Sequence, residues 1–190
     1  RFYCSSLFQS KLSFLINNGL DIKIYGGIVS VNYYTKLRGI AGDIVKRKNI
    51  RGAFNALLNL FKQSDYERNV SILEPYCKNP VFGMDYYHTI ASSKICLNIH
   101  IDLAKNFSGN MRMFEATGVN TCLVTDKKEN NSLLFDVGHE VIEFSDKKDL
   151  LEKVLEISNV KIRAISKSGQ DKTLNNYSIE KLFSRIKNHL

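Results

Sequence analysis

No stretch of this chain is apolar for long enough to span a membrane, and no secretory leader pattern stands at its start. Cysteine is sparse as well. The four thiols, Cys4, Cys77, Cys96 and Cys122, show none of the paired spacing that a metal site needs. Cys96 and Cys122 fall inside apolar runs, where a free thiol behaves as a small hydrophobic group. These absences point to a reducing, cytoplasmic setting. The four histidines, His88, His100, His139 and His189, share no spacing that suggests a common cation, so no metal site is expected. Low-complexity tracts and internal repeats are absent too, which leaves an ordinary globular composition, 44% hydrophobic and 24% charged. Acidic residues are in deficit: 19 against 27 lysines and arginines, a formal net charge of +8. Anionic partners are therefore admitted, from phosphorylated small molecules to membrane surfaces and nucleic acid. The densest basic cluster is Lys36, Arg38, Lys46, Arg47, Lys48 and Arg51. A solvated helix face is its first reading, and peripheral contact with a membrane its second. Nucleic acid comes last, because no binding signature accompanies the charge.

At 190 residues the chain fits a single domain over 1–190, large enough to bury about two-thirds of its unfolded surface. It opens on RFYCSS, as if inside a strand, so it is expected to be a piece of a longer protein. Residues 2–4 read as a strand, 8–18 as a helix closed by Asn17-Asn18-Gly19, and 21–25 as a second strand ending at Gly26-Gly27. A strand–helix–strand start implies parallel pairing and a right-handed crossover. Ser5 and Ser6 would then stand at the carboxyl end of the first strand, either facing a cleft or capping the helix. Residues 28–78 carry the weakest pattern, with helical spacing over 53–61 and a short strand over 70–73. From residue 79 the pattern is firm. Pro80 fixes the approach to a helix over 84–92 whose Tyr87, Ile90 and Ala91 should face a sheet. Further on, a helical turn over 132–135 and a strand over 141–144 precede an Asp146-capped helix over 147–157. Its Leu150, Leu151, Val154 and Leu155 should point inward. Two helices follow over 161–174 and 178–189, broken by Gly169 and by Asn175-Asn176.

The middle of the chain, residues 93–126, organises the rest. Apolar β-type runs over 95–99 and 121–125 enclose a polar loop and a helix that begins near Asn110 and is stopped by Gly118. In open α/β sheets a loop and helix start after a strand form an anion site, because the first-turn N–H groups lack partners and the dipole is positive there. Arg112 and Glu115, three apart, share one face just beyond that start. Met111, Phe114 and Gly118 lie one step round and should pack inward. An arginine in a first turn opposes the dipole unless an anion neutralises it; the bland alternative is an exposed Arg112–Glu115 ion pair. Asn98 and His100 close the preceding strand, and His100 is expected at its carboxyl end. There it suits a hydrogen bond to a phosphate or sugar, or acid/base work; a satisfied structural histidine is the competing reading. Thr125 and Asp126 end the following strand, placed for sugar hydroxyls or simply for the turn.

The block NIHIDLAKNFSGNMRMFEATGVNTCLVTD, with PVFGMDYY before it and LLFDVGHEVIEFSDKKDLLEKV after it, resembles the C-terminal domain of GT-B glycosyltransferases. More narrowly, it resembles the group-one branch related to spore-maturation glycosyltransferase-like proteins. The likeness covers residues 79–177 well and 1–27 loosely, and its specific part is Gly109-Asn110-x-Arg112-x-Phe114-Glu115-Ala116-x-Gly118. It implies a Rossmann-like three-layer α/β/α domain with a largely parallel sheet, one half of a GT-B fold, with an insertion at about 28–78. The implied activity is transfer of a sugar from a nucleotide-diphosphate donor to an unknown glycan, lipid or protein acceptor, without cofactor or metal ion. The implied partners are the nucleotide sugar and an N-terminal GT-B domain, with peripheral contact at the inner membrane face. The resemblance assigns Glu115 to the ribose hydroxyls and the backbone of Gly109, Asn110 and Met111 to the diphosphate. Arg112 would meet leaving-group charge, Phe82 and Gly83 would lie beside the base, and Ser5 and Ser6 near phosphate or acceptor. Tyr86 and Tyr87 would be packing residues. Eight residues before Glu115, where many retaining relatives carry a second Glu for the donor sugar, this chain has Phe107. That substitution supports an alternative, a non-catalytic nucleotide-binding or interaction module on the same fold.

Overall fold

The computed structural model describes residues 6–26, 65–100 and 104–187, which fall into two compact units, Arg1–Pro80 and Val81–Leu190. The expected strand over 2–4, Ser5, the helix over 53–61 and the basic cluster from Lys36 to Arg51 lie outside the described residues.

In the first unit, helix α1 (Ser6–Asn17) packs on α2 (Asp65–Leu73), burying Leu12, Leu15, Ile16, Val70 and Leu73. Ser6 is the first residue of α1. The helix ends at Gly19, whose φ of +84° suits the left-handed position. Gly19 N–H donates to Ile16 O at 2.9 Å and Leu20 N–H to Leu15 O at 3.3 Å. The short strand expected over 70–73 is instead the end of α2. Val70 and Leu73, three apart, satisfy a helical stripe facing α1, and the partner helix decides which period wins. Strand β1 is only Ile24–Tyr25, shorter than the run over 21–25, and pairs in parallel with β2 (Cys77–Lys78).

The second unit holds α3 (Gly83–Ala91), β3 (Ile95–Asn98), α4 (Met111–Gly118), β4 (Cys122–Asp126), α5 (Asn131–Leu134) and β5 (Ile142–Phe144). After these come α6 (Lys147–Glu156), α7 (Asn159–Tyr177) and α8 (Ile179–Lys187). The sheet order is β3-β4-β5, all parallel, with Asn98 opposite Thr125 and Asp126 opposite Phe144. Every residue of central β4 is buried, as expected of a parallel strand covered by helices. The architecture is α/β and Rossmann-like, and every described strand pairing is parallel.

The core gathers Ile90, Met113, Ala116, Leu123, Phe135 and Val141. A fully buried Met, Leu or Phe among them contributes about 1.5–3 kcal/mol. Phe114, Phe135 and Tyr177 cluster in tilted and edge-on contacts with ring centroids 4.8–5.9 Å apart. Asp146 caps α6 by accepting from Lys148 N and Asp149 N, as its position suggests.

Several residues expected to face inward do not, although Phe114 packs against the core as expected. In α4 the buried set is Met113, Ala116 and Thr117, whereas Met111 is 74% exposed. In α3 only Ile90 is buried, with Tyr87 and Ala91 exposed; in α6, Leu150 is buried and Leu155 exposed. The helix after Ser158 does not break at Gly169 or at Asn175-Asn176 but runs unbroken to Tyr177. Nor is Gly118 left-handed; that role falls to Asn120, with φ +63°.

Candidate functional site

The carboxyl ends of β3 and β4 carry polar side chains that bind one another. Thr125 is fully buried, and its Oγ1 accepts from Asn98 Nδ2 at 3.2 Å. Asn98 Oδ1 in turn accepts from Asn110 Nδ2 at 2.8 Å. Asn110 is the N-cap residue of α4, yet its side chain makes no capping bond; it reaches back to β3 instead. The first turn of α4 therefore receives neither a capping oxygen nor an acidic side chain, and Arg112 stands in it. Dipole and guanidinium add, so the helix start is a concentration of positive charge.

The loop in front of this helix is fastened to the loop after β4. Ser108 N and Oγ both donate to Asn130 Oδ1, at 2.7 and 3.0 Å, and Asn130 Nδ2 returns a bond to Ser108 O at 2.9 Å. Asn106 Nδ2 donates to Glu129 Oε1, and Lys128 Nζ to Lys105 O. Gly109 follows with φ +152°, a conformation that L side chains rarely adopt, so its glycine is required by backbone rather than by space.

One turn into α4, Arg112 and Glu115 meet at a third side chain. The Tyr86 hydroxyl donates to Glu115 Oε2 at 2.7 Å. Burial, and then this hydrogen bond, push the Tyr86 phenol up to about 12, while the charge and hydrogen bond of Arg112 pull the other way. Burial raises the Cys96 thiol beneath them as well. Arg112 and Glu115 are both half-buried, so neither is swallowed by the core. Tyr86, expected as a packing residue, packs against the core and also presents its hydroxyl to the acid.

On the other side of the sheet edge, His100 and Asp126 form a buried pair. Asp126 Oδ1 lies 2.7 Å from His100 Nδ1 and accepts the His100 main-chain N–H at 3.0 Å. Lys128 Nζ stands 3.4 Å from Oδ2. Burial alone would raise the Asp126 carboxyl, but both hydrogen bonds from His100, its charge and that of Lys128 outweigh it and hold the group below the usual carboxylate range. Thr125 and Asp126, expected either at sugar hydroxyls or simply at the turn, are hydrogen-bonded to Asn98 of β3 and to His100 just beyond it.

Phe82 and Gly83 head α3. Phe82 is 73% exposed and so is no part of the core, and Gly83 has φ +58°. Phe107 is 60% exposed on the loop before α4. The structure brings Asn98, Asn110, Thr125, Arg112 and Glu115 together around one helix start. Ser5 lies outside the described residues, and Ser6 belongs to the first unit. Asn98, Lys128 and Asn130 had no assigned role in the sequence; the alternation Asn98-x-His100 at a strand end was the available signal. Among the described residues no group of three or more His, Cys, Asp or Glu could hold a metal ion, and no helix is long and apolar enough to cross a membrane.

No curated protein and no solved structure matches the chain. The model of one family, described as glycosyl transferase-like, matches residues 15–188. That match takes in most of both units and every element around the α4 start. The chain belongs to the glycosyl transferase-like family.

Proposed function

We propose that Val81–Leu190 is the donor half of a GT-B-type transferase that holds a nucleoside-diphosphate sugar at the carboxyl edge of β3 and β4. The observation that carries this reading is the start of α4, uncapped and free of acids, with Arg112 in its first turn and Glu115 one turn on. The diphosphate lies against the main chain of Gly109, Asn110 and Met111, the ribose hydroxyls donate to Glu115, and the base sits beside Phe82 and Gly83. In the transfer, the bond between the anomeric carbon and the diphosphate oxygen breaks and its electrons stay on the diphosphate. The acceptor hydroxyl oxygen bonds to that carbon and releases its proton to solvent. Arg112 and the helix start meet the charge that grows on the leaving group, which lowers the barrier rather than merely tightening the complex. Because the protein supplies that positive charge, the proposed transfer needs no metal ion.

Calorimetry with uridine and guanosine diphosphates tests the assignment. Glu115→Ala and Arg112→Ala should each weaken binding about tenfold or more, about 1.4 kcal/mol. Unchanged affinity would remove both roles.

One observation favours a second reading. Phe107 is exposed where related retaining enzymes carry the sugar-binding Glu, which suits a module that binds nucleotide and no longer performs transfer. A panel of nucleotide sugars separates the two: the enzyme consumes at least one of them, whereas the module binds and consumes none.

A further inference from the structure

Helix α8 leaves its apolar side uncovered. Ile179, Leu182, Phe183 and Ile186 recur at the spacing of one helical face, a stripe about 100° wide, and are 44–66% exposed. Leu182 N–H donates to Ser178 O at 3.0 Å, so the helix starts directly after α7, on which it packs. Leu174, 53% exposed, lies one turn before that junction. The other side of α8 is largely basic: exposed Lys187 borders the stripe and exposed Lys181 lies opposite it. Helices α7 and α8 together hold seven lysines and arginines against two acids, Asp171 and Glu180. Of these acids, Asp171 is already paired with Lys167.

We propose that α8 is a docking helix for an anionic lipid surface, lying along it with the apolar stripe at the boundary between headgroups and acyl chains. A stripe of Ile, Leu and Phe beside lysines is what an interfacial helix requires, since apolar burial and attraction to anionic headgroups then add. The Lys187 stem runs along the stripe while its ammonium stays among the phosphates. A protein partner fits less well. A nine-residue helix offers far fewer residues than the roughly 20–30 a side of a stable interface, and lysine is depleted from such interfaces. Nucleic acid would match the charge but leave four apolar side chains in water. A lipid surface needs no matching shape and takes both. Docking does not depend on donor binding, so either reading can fail alone.

Flotation of the full chain with vesicles is the test. The chain should rise with vesicles of phosphatidylcholine and phosphatidylglycerol, bind phosphatidylcholine alone about tenfold more weakly, and be partly released by salt. Phe183→Ser combined with Ile186→Ser should lower the partition about tenfold or more. Both side chains are exposed, so the fold should stand, which circular dichroism checks. Lys187→Glu should weaken binding to the anionic vesicles. The chain has no tryptophan, so Phe183→Trp supplies a single reporter. Its emission should be that of a water-exposed ring in the free protein and shift to the blue with anionic vesicles. Emission already blue without vesicles means that protein covers the stripe, and a dimer that the double serine variant dissociates means that a second copy does; either overturns the inference. So does flotation that the serine variant leaves unchanged, or salt-sensitive capture by an oligonucleotide with no binding to vesicles.

Discussion

Replacing Gly169 by alanine sets two effects of opposite sign against each other. Gly169 is buried in the middle of α7, where alanine would ordinarily gain about 1 kcal/mol of helix propensity. A β-carbon there would lie 2.5 Å from Glu140 O, 3.3 Å from Thr117 Cγ2 and 3.5 Å from Glu140 C. The first contact is with main chain, in the turn held by Gly138 N–H donating to Val141 O at 2.7 Å, so a side-chain rotation cannot relieve it. Overpacking of this kind costs about 1–3 kcal/mol. The steric effect should win, for a net loss of about 1 kcal/mol, or roughly 4 °C in melting temperature for a unit of this size. Gly169→Val should lose more. Ser168→Ala, exposed on the same helix, should be neutral or gain a few tenths of a kcal/mol. The chain has no tryptophan, so urea unfolding is best followed by circular dichroism at the helix and tyrosine bands. The reasoning fails if Gly169→Ala unfolds at the same or higher urea than the unaltered chain. The consequence would reach the site, because α7 grips α4 through Thr117 Oγ1 and Thr173 Oγ1, 2.6 Å apart, and through Gln170 Nε2 donating to Gly118 O at 3.1 Å.

Two further outcomes follow from the raised ionisations. The Tyr86 phenol is held neutral, with a folded value of about 12 against an ordinary 10.0, so its stabilisation is complete below pH 10 and is lost as the pH climbs towards 12. Alkaline unfolding, followed together with tyrosinate absorbance, should therefore be less steep in Tyr86→Phe; an identical slope would refute a raised Tyr86 ionisation, whose first cause is burial and whose second is the Glu115 bond. Cys122 is fully buried in β4 and its thiol is pushed up to about 11 by burial. Alkylation of the native protein at pH 8, read by mass spectrometry, should leave Cys122 unlabelled until unfolding. Early labelling there would contradict the packing of β4.

The parts of the fold legible in sequence were those written locally. Asp146 before a helical run, Asn17-Asn18-Gly19 after one, and two apolar runs around a glycine-bearing loop each carry their own short-range instruction. The α4 start was readable for the same reason: an arginine in a first turn without an acid is visible in four consecutive letters. What failed was the phase of burial. Met111 and Leu155 are apolar and helical, but which apolar residues turn inward depends on the neighbouring surface, and both face outward. The run over 70–73 fits either period when read alone, and α1 lying against it makes it helical. Gly169 reads as a helix breaker and is in fact the residue that lets α7 pass close to a main-chain carbonyl.

The site divides along the same line. Arg112 and Glu115 lie three apart on one helix, so their shared face follows from 3.6 residues per turn. Tyr86 reaches Glu115 across 29 residues and His100 reaches Asp126 across 26, and no local pattern encodes either meeting. The sequence determined by itself the family, the parallel α/β plan and the helix whose start concentrates positive charge, because each depends on spacing within a few turns of chain. Tertiary structure alone decided that the acid is held by a tyrosine hydroxyl and that the histidine ring is tied to an aspartate, because packing brings together side chains that nothing in their own neighbourhood could pair.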